Sequence, residues 1–328
     1  MSKIRWGVLG TAGIAKKQTI PGMKEAYNCE LYAIAGRNID KAKEFQKEFG
    51  FQKAYGSYEE LLQDPEVQAV YIPLPNTLHY EWTIKALEAK KHVLCEKPLA
   101  PSEEAAGKMV EAAEKNGVLL MEAFAYLHSP FTKAIKQEIE AKSIGDVVYM
   151  ESTFITPNYD LSNIRMRRET LGGCLYDLGC YNTTQILWML EEEPERIQAI
   201  SDFSEEKIDV YTTAMMNFKS GKRAVLNCGM VLSAKIEGKY DRIDSFRIHG
   251  TKGSIKSEVQ FNQCGKLAYT LSIGEKEEVK VIDTPQNYRL EVEQFGRCIL
   301  EGEKPHVSHE FTLKNARLMD RILEIINY

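Results

Sequence analysis

The sequence predicts a two-domain α/β protein, in which a doubly wound parallel sheet precedes an α+β domain with a large, mostly antiparallel sheet. Three observations support this fold class. Apolar runs of strand length alternate with helical patterns through the first 123 residues, which is typical of a parallel sheet. β-rich runs joined by short turns dominate from about residue 145 onward, which is typical of antiparallel pairing. A length of 328 residues is also enough for two hydrophobic cores of ordinary size.

The first domain is predicted to span residues 1–123. Its strands are expected at 4–9, 31–35, 69–72, 92–95 and 118–123, and its helices at 14–26, 40–49, 77–89 and 102–116. Local signals agree with these helix boundaries. Ser57 opens a capping box that ends at Glu60, Ser102 is placed to cap a helix, and Gly117 follows Asn116 as a C-terminal stop.

The second domain is predicted to span residues 124–328, with the last helix packing back on the first domain. Its strands are expected at 147–156, 196–203, 209–218, 222–232, 244–249, 253–261, 267–272 and 278–282, and its helices at 131–142, 175–190, 288–301 and 309–326. Short turns at 220–222 and 250–253 indicate hairpins. Because helices cover one side of such a sheet and leave a broad face open, we expect a homodimer formed through the second domains.

Composition limits the classes of partner. A formal net charge of −5 argues against binding to nucleic acid or to an anionic membrane surface, since either requires a clustered basic face. Small-molecule chemistry is therefore the better expectation. The seven cysteines are scattered and lack zinc-site spacing, so we expect reduced thiols, no bound metal and a cytoplasmic location. No apolar stretch approaches the roughly 20 residues that span a bilayer.

A small-residue turn, Gly10-Thr11-Ala12-Gly13-Ile14-Ala15, follows the first strand. Gly10, Ala12 and Ala15 occupy the three positions of the dinucleotide-binding pattern G-x-G-x-x-G/A, with alanine at the second position. Small residues let the backbone approach a pyrophosphate, and the following helix N-terminus supplies free N–H groups and positive potential. The alternative is a tight strand-to-helix turn that binds nothing, and this motif alone leaves that alternative open.

The end of the second strand indicates which dinucleotide is preferred. An NAD site normally has Asp or Glu there to bind the ribose 2′-hydroxyl, but this chain has Gly36-Arg37. Gly36 leaves room for a 2′-phosphate, and the guanidinium of Arg37 offers it a bidentate contact, so the sequence favours NADP over NAD. The alternative is that Arg37 is a solvated charge at a strand end.

Two further strand ends carry candidate cofactor-binding residues. Pro75, Asn76 and His79 follow the strand at 69–72, where Asn76 is placed to cap the next helix and His79 lies in its first turn. Taken alone, a capping asparagine and a structural histidine explain both residues without a ligand. Glu96-Lys97-Pro98 follows the next strand and places a lysine where parallel strands deliver side chains to a cofactor crevice.

In the second domain, residues 172–181 open a helix with the pattern Gly-Gly-x4-Asp-x-Gly-x-Tyr. Asp177 and Tyr181 are four residues apart, so a helix places them on one face. A phenol there can exchange a proton, and a carboxylate one turn earlier can orient a substrate hydroxyl or the lysine. The alternative is an amphipathic helix whose Tyr181 packs in the core.

Together these motifs, with Glu122-Ala123-Phe124, resemble the Gfo/Idh/MocA family of NAD(P)-dependent oxidoreductases over essentially the whole chain. In that family a Rossmann domain precedes an open-faced sheet domain. Tyrosine at 181, where many members have histidine, and Asn163-Ile164-Arg165 resemble the branch that contains glucose–fructose oxidoreductase, dihydrodiol dehydrogenase and NADP-dependent xylose dehydrogenase.

The resemblance implies roles for individual residues. Lys97 and Tyr181 correspond to the catalytic pair, Asp177 to a substrate-orienting carboxylate, and Glu96 to a neighbour in the nicotinamide pocket. We add Tyr126, Tyr159 and Arg165 as substrate-binding candidates. The chain departs from the family pattern at Ala12, which replaces the second glycine of the turn, and at Cys174, which replaces a third glycine in the second motif.

The implied activity is hydride transfer between nicotinamide C4 and a secondary alcohol, an aldose or a vicinal diol of a small polyhydroxylated substrate. NADP is the expected cofactor, with NAD as the alternative. Two other functions stay open at this point. One is a family member that uses transient oxidation for elimination or glycoside cleavage, and the other is a nucleotide-binding sensor without turnover.

Overall fold

The computed structural model describes residues 2–157, 160–232, 242–259 and 261–328. The chain divides into two compact units, the first formed by residues up to 128 together with 285–313, and the second by 129–284 together with 314–328. The described residues form a six-stranded parallel sheet in the first unit and an eight-stranded, mostly antiparallel sheet in the second. The predicted fold class is therefore confirmed. The functional division at residue 123 stays a prediction.

The first unit contains strands β1 (Ile4–Leu9), β2 (Cys29–Ala35), β3 (Lys53–Tyr55), β4 (Ala69–Ile72), β5 (His92–Glu96) and β6 (Leu120–Ala123). Its helices include α1 (Ile20–Glu25), which follows a π-helical turn at Ala15–Thr19, α2 (Ile39–Phe49), α3 (Tyr58–Gln63), α4 (Asn76–Glu88), α5 (Glu103–Asn116) and α8 (Asn287–Glu301). The strand order is β3-β2-β1-β4-β5-β6, so the order reverses between β1 and β4. In doubly wound sheets, ligands bind beyond the carboxyl ends of the strands at this point of reversal.

Most predicted boundaries in this unit are confirmed, including the caps at Ser57, Ser102 and Gly117. The Ser57 hydroxyl accepts a hydrogen bond from the Glu60 N–H, and the Ser102 hydroxyl accepts one from the Ala105 N–H. Gly117 ends α5 with a φ of 66°, in the left-handed region that favours glycine. The prediction missed β3, because three residues at the edge of a sheet are too few to show an alternating pattern.

The capping role predicted for Asn76 is wrong. Helix α4 begins at Asn76, and the residue in the capping position is Pro75, whose side chain has no hydrogen-bonding atom. The fixed φ of proline suits this entry into a helix. Asn76 therefore lies inside the first turn.

The second unit contains β7 (Val147–Pro157), β8 (Arg196–Phe203), β9 (Asp209–Asn217), β10 (Arg223–Leu232), β11 (Ile243–Gly250), β12 (Gly253–Ser257), β13 (Gly265–Ile273) and β14 (Lys276–Thr284). Its helices are α6 (Pro130–Glu140) and α7 (Cys180–Leu190), which follows a π-helical turn at Leu175–Gly179, and the chain ends in α9 (His309–Ile325). The strand order is β14-β13-β12-β11-β7-β10-β9-β8, and β7 pairs with β10 in parallel. Both predicted turns join neighbouring antiparallel strands, β9 to β10 and β11 to β12.

The two faces of this sheet differ. Strand pairing places Met150, Ala214, Leu226 and Phe246 on the buried face, against which α7 packs. On the opposite face the same pairing aligns exposed side chains from β8 to β14, namely Ile200, Met215, Arg247, Lys256, Val279 and Val281. The sheet is therefore covered by helices on one side and open on the other.

Helix α8 supplies part of the core of the first unit. The Phe295 ring packs 5.6 Å from the ring of Trp6, and both side chains are fully buried. A Cβ atom added at Gly22 would lie 2.8 Å from the backbone nitrogen of Arg289, so α1 and α8 approach each other closely. This contact requires glycine at position 22.

Candidate active site

The small-residue turn after β1 has the backbone that a dinucleotide site requires. Gly10 has a φ of 122°, which L-residues with a side chain rarely adopt, and its N–H donates to the carbonyl oxygen of Ala35. The helix begins at Gly13, and among the described residues no atom lies within 4 Å of a Cβ atom added there. The helix N-terminus therefore faces open space with its first N–H groups, which fits the pyrophosphate of a dinucleotide.

Gly36 and Arg37 lie next to this turn. A Cβ atom added at Gly36 would lie 3.4 Å from the Thr11 side chain and 3.3 Å from the Asn38 carbonyl oxygen, so a carboxylate side chain has little room there. Arg37 is exposed, and its guanidinium lies close enough to the Tyr58 hydroxyl to interact with it electrostatically. Burial raises the pKa of Tyr58, and the charge of Arg37 partly offsets this effect. The guanidinium thus lies close to a phenol beside the turn.

His79 has a structural position in the first unit. It is fully buried, with Nδ1 2.8 Å from the Pro98 carbonyl oxygen and Nε2 2.8 Å from the Leu74 carbonyl oxygen. Burial lowers the pKa of His79, and the two carbonyl acceptors oppose this effect. His79 therefore joins the loop after β4 to the loop after β5, and through that loop it positions Lys97.

A buried chain of hydroxyl and carboxyl groups supports the end of β5. The Tyr71 hydroxyl donates to Glu96 Oε1 over 2.5 Å and accepts from the Thr19 hydroxyl over 2.9 Å. Thr19 lies in the π-helical turn that follows the small-residue turn. These hydrogen bonds therefore link the helix that follows the small-residue turn to Glu96, the residue immediately before Lys97.

Buried carboxyl groups surround the half-buried Lys97. Glu122 Oε1 accepts a hydrogen bond from the Leu99 N–H over 2.9 Å, and burial raises the pKa of Glu122 to about 7, an effect that Leu99, Thr312 and Lys97 oppose. Burial also raises the pKa of Glu291 well above its ordinary value, and the neighbouring Glu96 charge adds to this shift. Glu122 thus holds the loop that carries Lys97 through the Leu99 N–H, and burial raises the pKa of both carboxyl groups.

In the second unit, a buried carboxylate holds the beginning of the segment 172–181. Asp209 Oδ2 accepts hydrogen bonds from the Leu175 N–H over 2.8 Å and from the Cys174 thiol over 3.1 Å. Burial raises the pKa of Asp209 to about 6. The Tyr328 hydroxyl donates to the Gly172 carbonyl oxygen over 2.6 Å. The Cys174 thiol therefore helps to hold this segment in place.

Asp177 and Tyr181 are separated by a π-helical turn at Leu175–Gly179, not by the α-helical turn that the sequence predicted. The wider turn changes the angle between the two side chains, and such turns are frequent at functional sites. Asp177 Oδ2 accepts a hydrogen bond from Arg165 Nε over 2.6 Å, so two predicted substrate-binding residues form an ion pair.

The side chain of Tyr181 combines a buried ring with a hydrogen-bonded hydroxyl. Its ring packs 5.7 Å from Phe154 and 5.1 Å from Phe261, and its Oη accepts a hydrogen bond from Asn262 Nδ2 over 3.0 Å. The ring therefore packs in the core while the phenol oxygen keeps a polar contact, and the proton-exchange role of Tyr181 stays a prediction.

Two remaining candidates are placed differently. Tyr126 is buried in the first unit, where it packs edge-on against Phe124, and its substrate-binding role stays a prediction. Tyr159 lies outside the described residues. Among the residues that the structure describes, no group of three or more His, Cys, Asp or Glu side chains has an arrangement suited to a metal ion.

Two protein-family models match this chain. Residues 4–124 match the model of an oxidoreductase family with an NAD-binding Rossmann fold, and residues 132–256 match the GFO/IDH/MocA C-terminal domain. An uncharacterised oxidoreductase of Rhizobium meliloti is 34% identical over 98% of this chain and 96% of its own length. This chain belongs to the Gfo/Idh/MocA family.

Other members of the family are similar over their full length. D-xylose 1-dehydrogenase (NADP+) 2 of Haloferax volcanii is 34% identical over 97% of this chain and 96% of its own length. The crystal structure of KijD10, a 3-ketoreductase from Actinomadura kijaniata in complex with NADP and TDP-benzene, has a TM-score of 0.92 at 29% identity, covering 99% of this chain and 98% of that one. This Gfo/Idh/MocA member is accordingly an NAD(P)-dependent oxidoreductase.

Sequence reasoning missed Asn262 in this Gfo/Idh/MocA chain. It lies in the connection between β12 and β13, where a polar residue belongs to no motif and has no recognisable spacing from residues 172–181. The only local signal is that asparagine tolerates positive φ in turns, and Asn262 has a φ of 50°.

Within the described residues, no helix is long and apolar enough to cross a membrane.

Proposed function

We propose that this protein is an NADP(H)-dependent oxidoreductase that moves a hydride between nicotinamide C4 and the carbon of a secondary alcohol, an aldose or a vicinal diol. The observation that carries this proposal is Tyr181, whose ring is buried while its hydroxyl keeps a polar contact at the start of a site helix. A phenol held in this way is suited to exchange a proton with a substrate oxygen.

The preference for NADP is supported by the surroundings of Gly36 and Arg37. Crowding by Thr11 and Asn38 leaves little room for a carboxylate side chain at position 36, and the exposed guanidinium offers two parallel N–H groups to a 2′-phosphate. The xylose dehydrogenase relative is named as an NADP+ enzyme, and the 3-ketoreductase structure contains NADP. We therefore assign Arg37 to the 2′-phosphate and residues 10–14 to the pyrophosphate.

We assign the proton and charge chemistry to Lys97, Asp177 and Tyr181. When bound, NADP supplies a hydride acceptor at nicotinamide C4. As the substrate carbon loses hydride, its hydroxyl loses a proton to the Tyr181 phenolate, and the Lys97 ammonium stabilises the negative charge on both oxygens. Asp177, oriented by Arg165, accepts a hydrogen bond from a substrate hydroxyl. In the reductive direction the Tyr181 phenol returns the proton.

The remaining roles follow from position in the first unit. We expect Glu96 to border the nicotinamide pocket, with Pro75 and Asn76 at the end of the neighbouring strand completing its wall. His79 acts through the two backbone carbonyl oxygens that it contacts. Tyr126 stays a candidate for the substrate pocket, and the cytoplasmic location predicted from the scattered cysteines stays a prediction.

The most direct experiment follows nicotinamide absorbance while the protein is incubated with NADP or NAD and a panel of aldoses, vicinal diols and cyclitols. We expect reduction of NADP with at least one polyhydroxylated alcohol, and the same rate with Tyr181→Phe would contradict the assignment. Product analysis of the same mixtures identifies a transient oxidation, in which substrate disappears without net reduction of cofactor. A sensor without turnover consumes no substrate from the panel.

We also propose a homodimer formed through the open face of the second sheet. Ile200 and Met215 are exposed near one edge of that face, and Val279 and Val281 are exposed at the other edge. Exposed apolar side chains on a sheet face without a helical cover support an interaction surface. Light scattering should give twice the chain mass at micromolar concentration, and Ile200→Asp should shift the population toward monomer. A monomeric wild type at that concentration would contradict the proposal.

A further inference from the structure

The contact between Asn262 and Tyr181 joins two segments that are far apart in the sequence but lie in the same unit. Asn262 Nδ2 donates a hydrogen bond to Tyr181 Oη over 3.0 Å. The phenol oxygen is the atom to which the proposed function assigns proton exchange, so any donor to this atom acts directly on that exchange.

The backbone of Asn262 is suited to holding the amide in this position. Its φ of 50° lies in the left-handed region, which asparagine adopts more readily than most residues with a side chain. The preceding residue, Phe261, is fully buried and packs 5.1 Å from both Tyr181 and Phe154. The connection is therefore anchored on the same aromatic ring whose hydroxyl it contacts.

A buried carboxylate holds the residues on both sides of Asn262. Asp244 Oδ1 accepts a hydrogen bond from the Phe261 N–H over 3.4 Å, and Asp244 Oδ2 accepts one from Gln263 Nε2 over 3.5 Å. Asp244 also forms an ion pair with Arg242, whose guanidinium lies 4.6 Å from the centre of the Phe154 ring. Two hydrogen bonds to Asp244 thus hold the residues that flank Asn262.

Two ion pairs of this unit involve residues close to Tyr181 in the sequence or in its aromatic cluster. Arg242 pairs with Asp244 beside the aromatic cluster, and Arg165 pairs with Asp177 in the preceding helical turn. The support beneath residues 172–175 adds the Asp209 carboxyl and the Cys174 and Cys228 thiols. Each ion pair carries no net charge, and the neutral Asn262 amide donates directly to the phenol oxygen.

We propose that Asn262 is a positioning residue that favours the phenolate form of Tyr181 by donating its amide N–H to the phenol oxygen. A phenolate is the stronger acceptor, because a hydrogen bond to a charged oxygen is shorter and stronger than one to a neutral oxygen. The donor therefore facilitates the transfer of a substrate proton to Tyr181. This inference rests on the proposed function of Tyr181.

The orientation of the amide decides the sign of the effect. Within the described residues, Asn262 Oδ1 is buried and has no hydrogen-bond partner. An amide turned by 180° would instead accept a hydrogen bond from the neutral phenol and favour the protonated form. The direction in which the Tyr181 pKa moves on substitution distinguishes the two arrangements.

The test uses Asn262→Gly and Asn262→Asp in the full chain. Glycine removes the amide and is compatible with positive φ, whereas aspartate keeps the shape and removes the donor. NMR titration of protein labelled with ¹³C at tyrosine Cζ reports the ionisation of Tyr181 without substrate or cofactor, and its resonance is identified by its loss in Tyr181→Phe. We expect the Tyr181 pKa to rise by about one unit in Asn262→Gly and by more in Asn262→Asp. Lys207→Gly, at another positive φ of 56° in this unit, is the matched control and should leave it unchanged.

Kinetics provide a second readout. Asn262→Gly should lower kcat for alcohol oxidation by about 5- to 10-fold with little change in KM, and should move the rising limb of the pH profile upward by about one unit. In a Tyr181→Phe background the same substitution should have almost no effect on kcat. An unchanged or lowered Tyr181 pKa in Asn262→Gly would overturn the inference. Because the titration requires no turnover, that result is distinct from a failure of the proposed function, in which no substrate reacts.

Discussion

The two units begin their site helices in the same way. Gly10 and Gly173 both have positive φ, 122° and 105°, and each precedes a π-helical turn that leads into an α-helix. The surroundings of the two segments differ. A Cβ atom at Gly13 would meet no described atom within 4 Å, whereas a Cβ atom at Gly173 would lie 1.8 Å from Asp209 Oδ1. The first segment exposes its backbone. The second segment packs against Asp209 and carries the side chains of Asp177 and Tyr181.

Under the proposed assignments, one local backbone arrangement serves two kinds of chemistry. An open helix N-terminus binds an anion through N–H groups, so it requires small residues and space. Acid–base chemistry requires side chains held at fixed positions, so it requires a rigid base. In the second unit that base is Asp209 with Cys174, and in the first unit the rigid part lies at the loop after β5, where Glu122 accepts the Leu99 N–H.

The largest expected effect tests the packing difference directly. Gly173→Ala should destabilise the protein by about 3 kcal/mol or more, because the new methyl group overlaps a buried carboxylate and the backbone is strained. Gly13→Ala should leave stability unchanged or raise it by about 0.4–1 kcal/mol, while weakening NADP binding. Urea denaturation and cofactor titration of both variants provide the comparison. Equal destabilisation by the two substitutions would contradict it.

Loss of the assigned catalytic groups should have the next largest effect. Lys97→Met and Tyr181→Phe should each lower kcat by about 10²-fold or more, the usual contribution of positioned acid–base groups, with a much smaller change in cofactor affinity. Since the two groups are assigned to one step, the double variant should be little worse than the poorer single variant. In the reductive direction, Lys97→Met should also move the alkaline limb of the pH profile upward, because the ammonium no longer favours the phenolate. Steady-state kinetics across pH measures both effects, and near-normal turnover in either single variant would return Tyr181 to a packing role.

The assignment of Arg37 predicts a change in cofactor preference. Arg37→Ala should weaken NADP binding by about 10- to 100-fold, since a charge-assisted bidentate contact contributes roughly 1.5–3 kcal/mol, and should leave NAD binding nearly unchanged. Lys43→Ala, an exposed cation on the helix that follows, is the control. Fluorescence titration of both cofactors measures the ratio. A variant that loses both cofactors equally would count against the 2′-phosphate contact.

The buried carboxyl groups predict a smaller, pH-dependent effect. The folded state raises the pKa of Glu122 from about 4.5 to about 7, so the folded protein binds more protons than the unfolded chain across this interval. This contribution to stability is therefore complete below about pH 4.5 and is lost as the pH rises through about 7. Relative to wild type, Glu122→Gln should be more stable at pH 8 than at pH 5 by roughly 1–2 kcal/mol.

Asp209→Asn provides the matching experiment in the second unit. The pKa of Asp209 is raised from 3.8 to about 6, so the corresponding loss of stability falls in a lower pH interval. Denaturation curves at several pH values for both variants separate the two intervals. If neither substitution alters the pH dependence of unfolding, these carboxyl groups ionise alike in the folded and unfolded states.

Local sequence patterns predicted the parts of the molecule that local chemistry controls. The apolar runs predicted the strands of both sheets except β3, Ser57 and Ser102 predicted helix starts, and Gly117 predicted a helix end. The placement of Lys97 followed from the rule that parallel strands deliver residues to one edge of a sheet. Each of these inferences depends on a few neighbouring residues, whose conformational preferences are fixed before any distant contact forms.

Contacts between distant segments decided the rest. The pairing of Asp177 with Arg165, the contact of Asn262 with Tyr181 and the place of Phe295 in the core of the first unit all join residues that no spacing relates. The π-helical turn before α7 also depends on a distant segment. Asp209, at the start of β9, accepts a hydrogen bond from the N–H of Leu175, the first residue of that turn. The sequence by itself determined the motif residues proposed for the site, and the tertiary structure added Asn262. Only the tertiary structure decided how they are oriented, because orientation depends on packing between segments far apart in the chain.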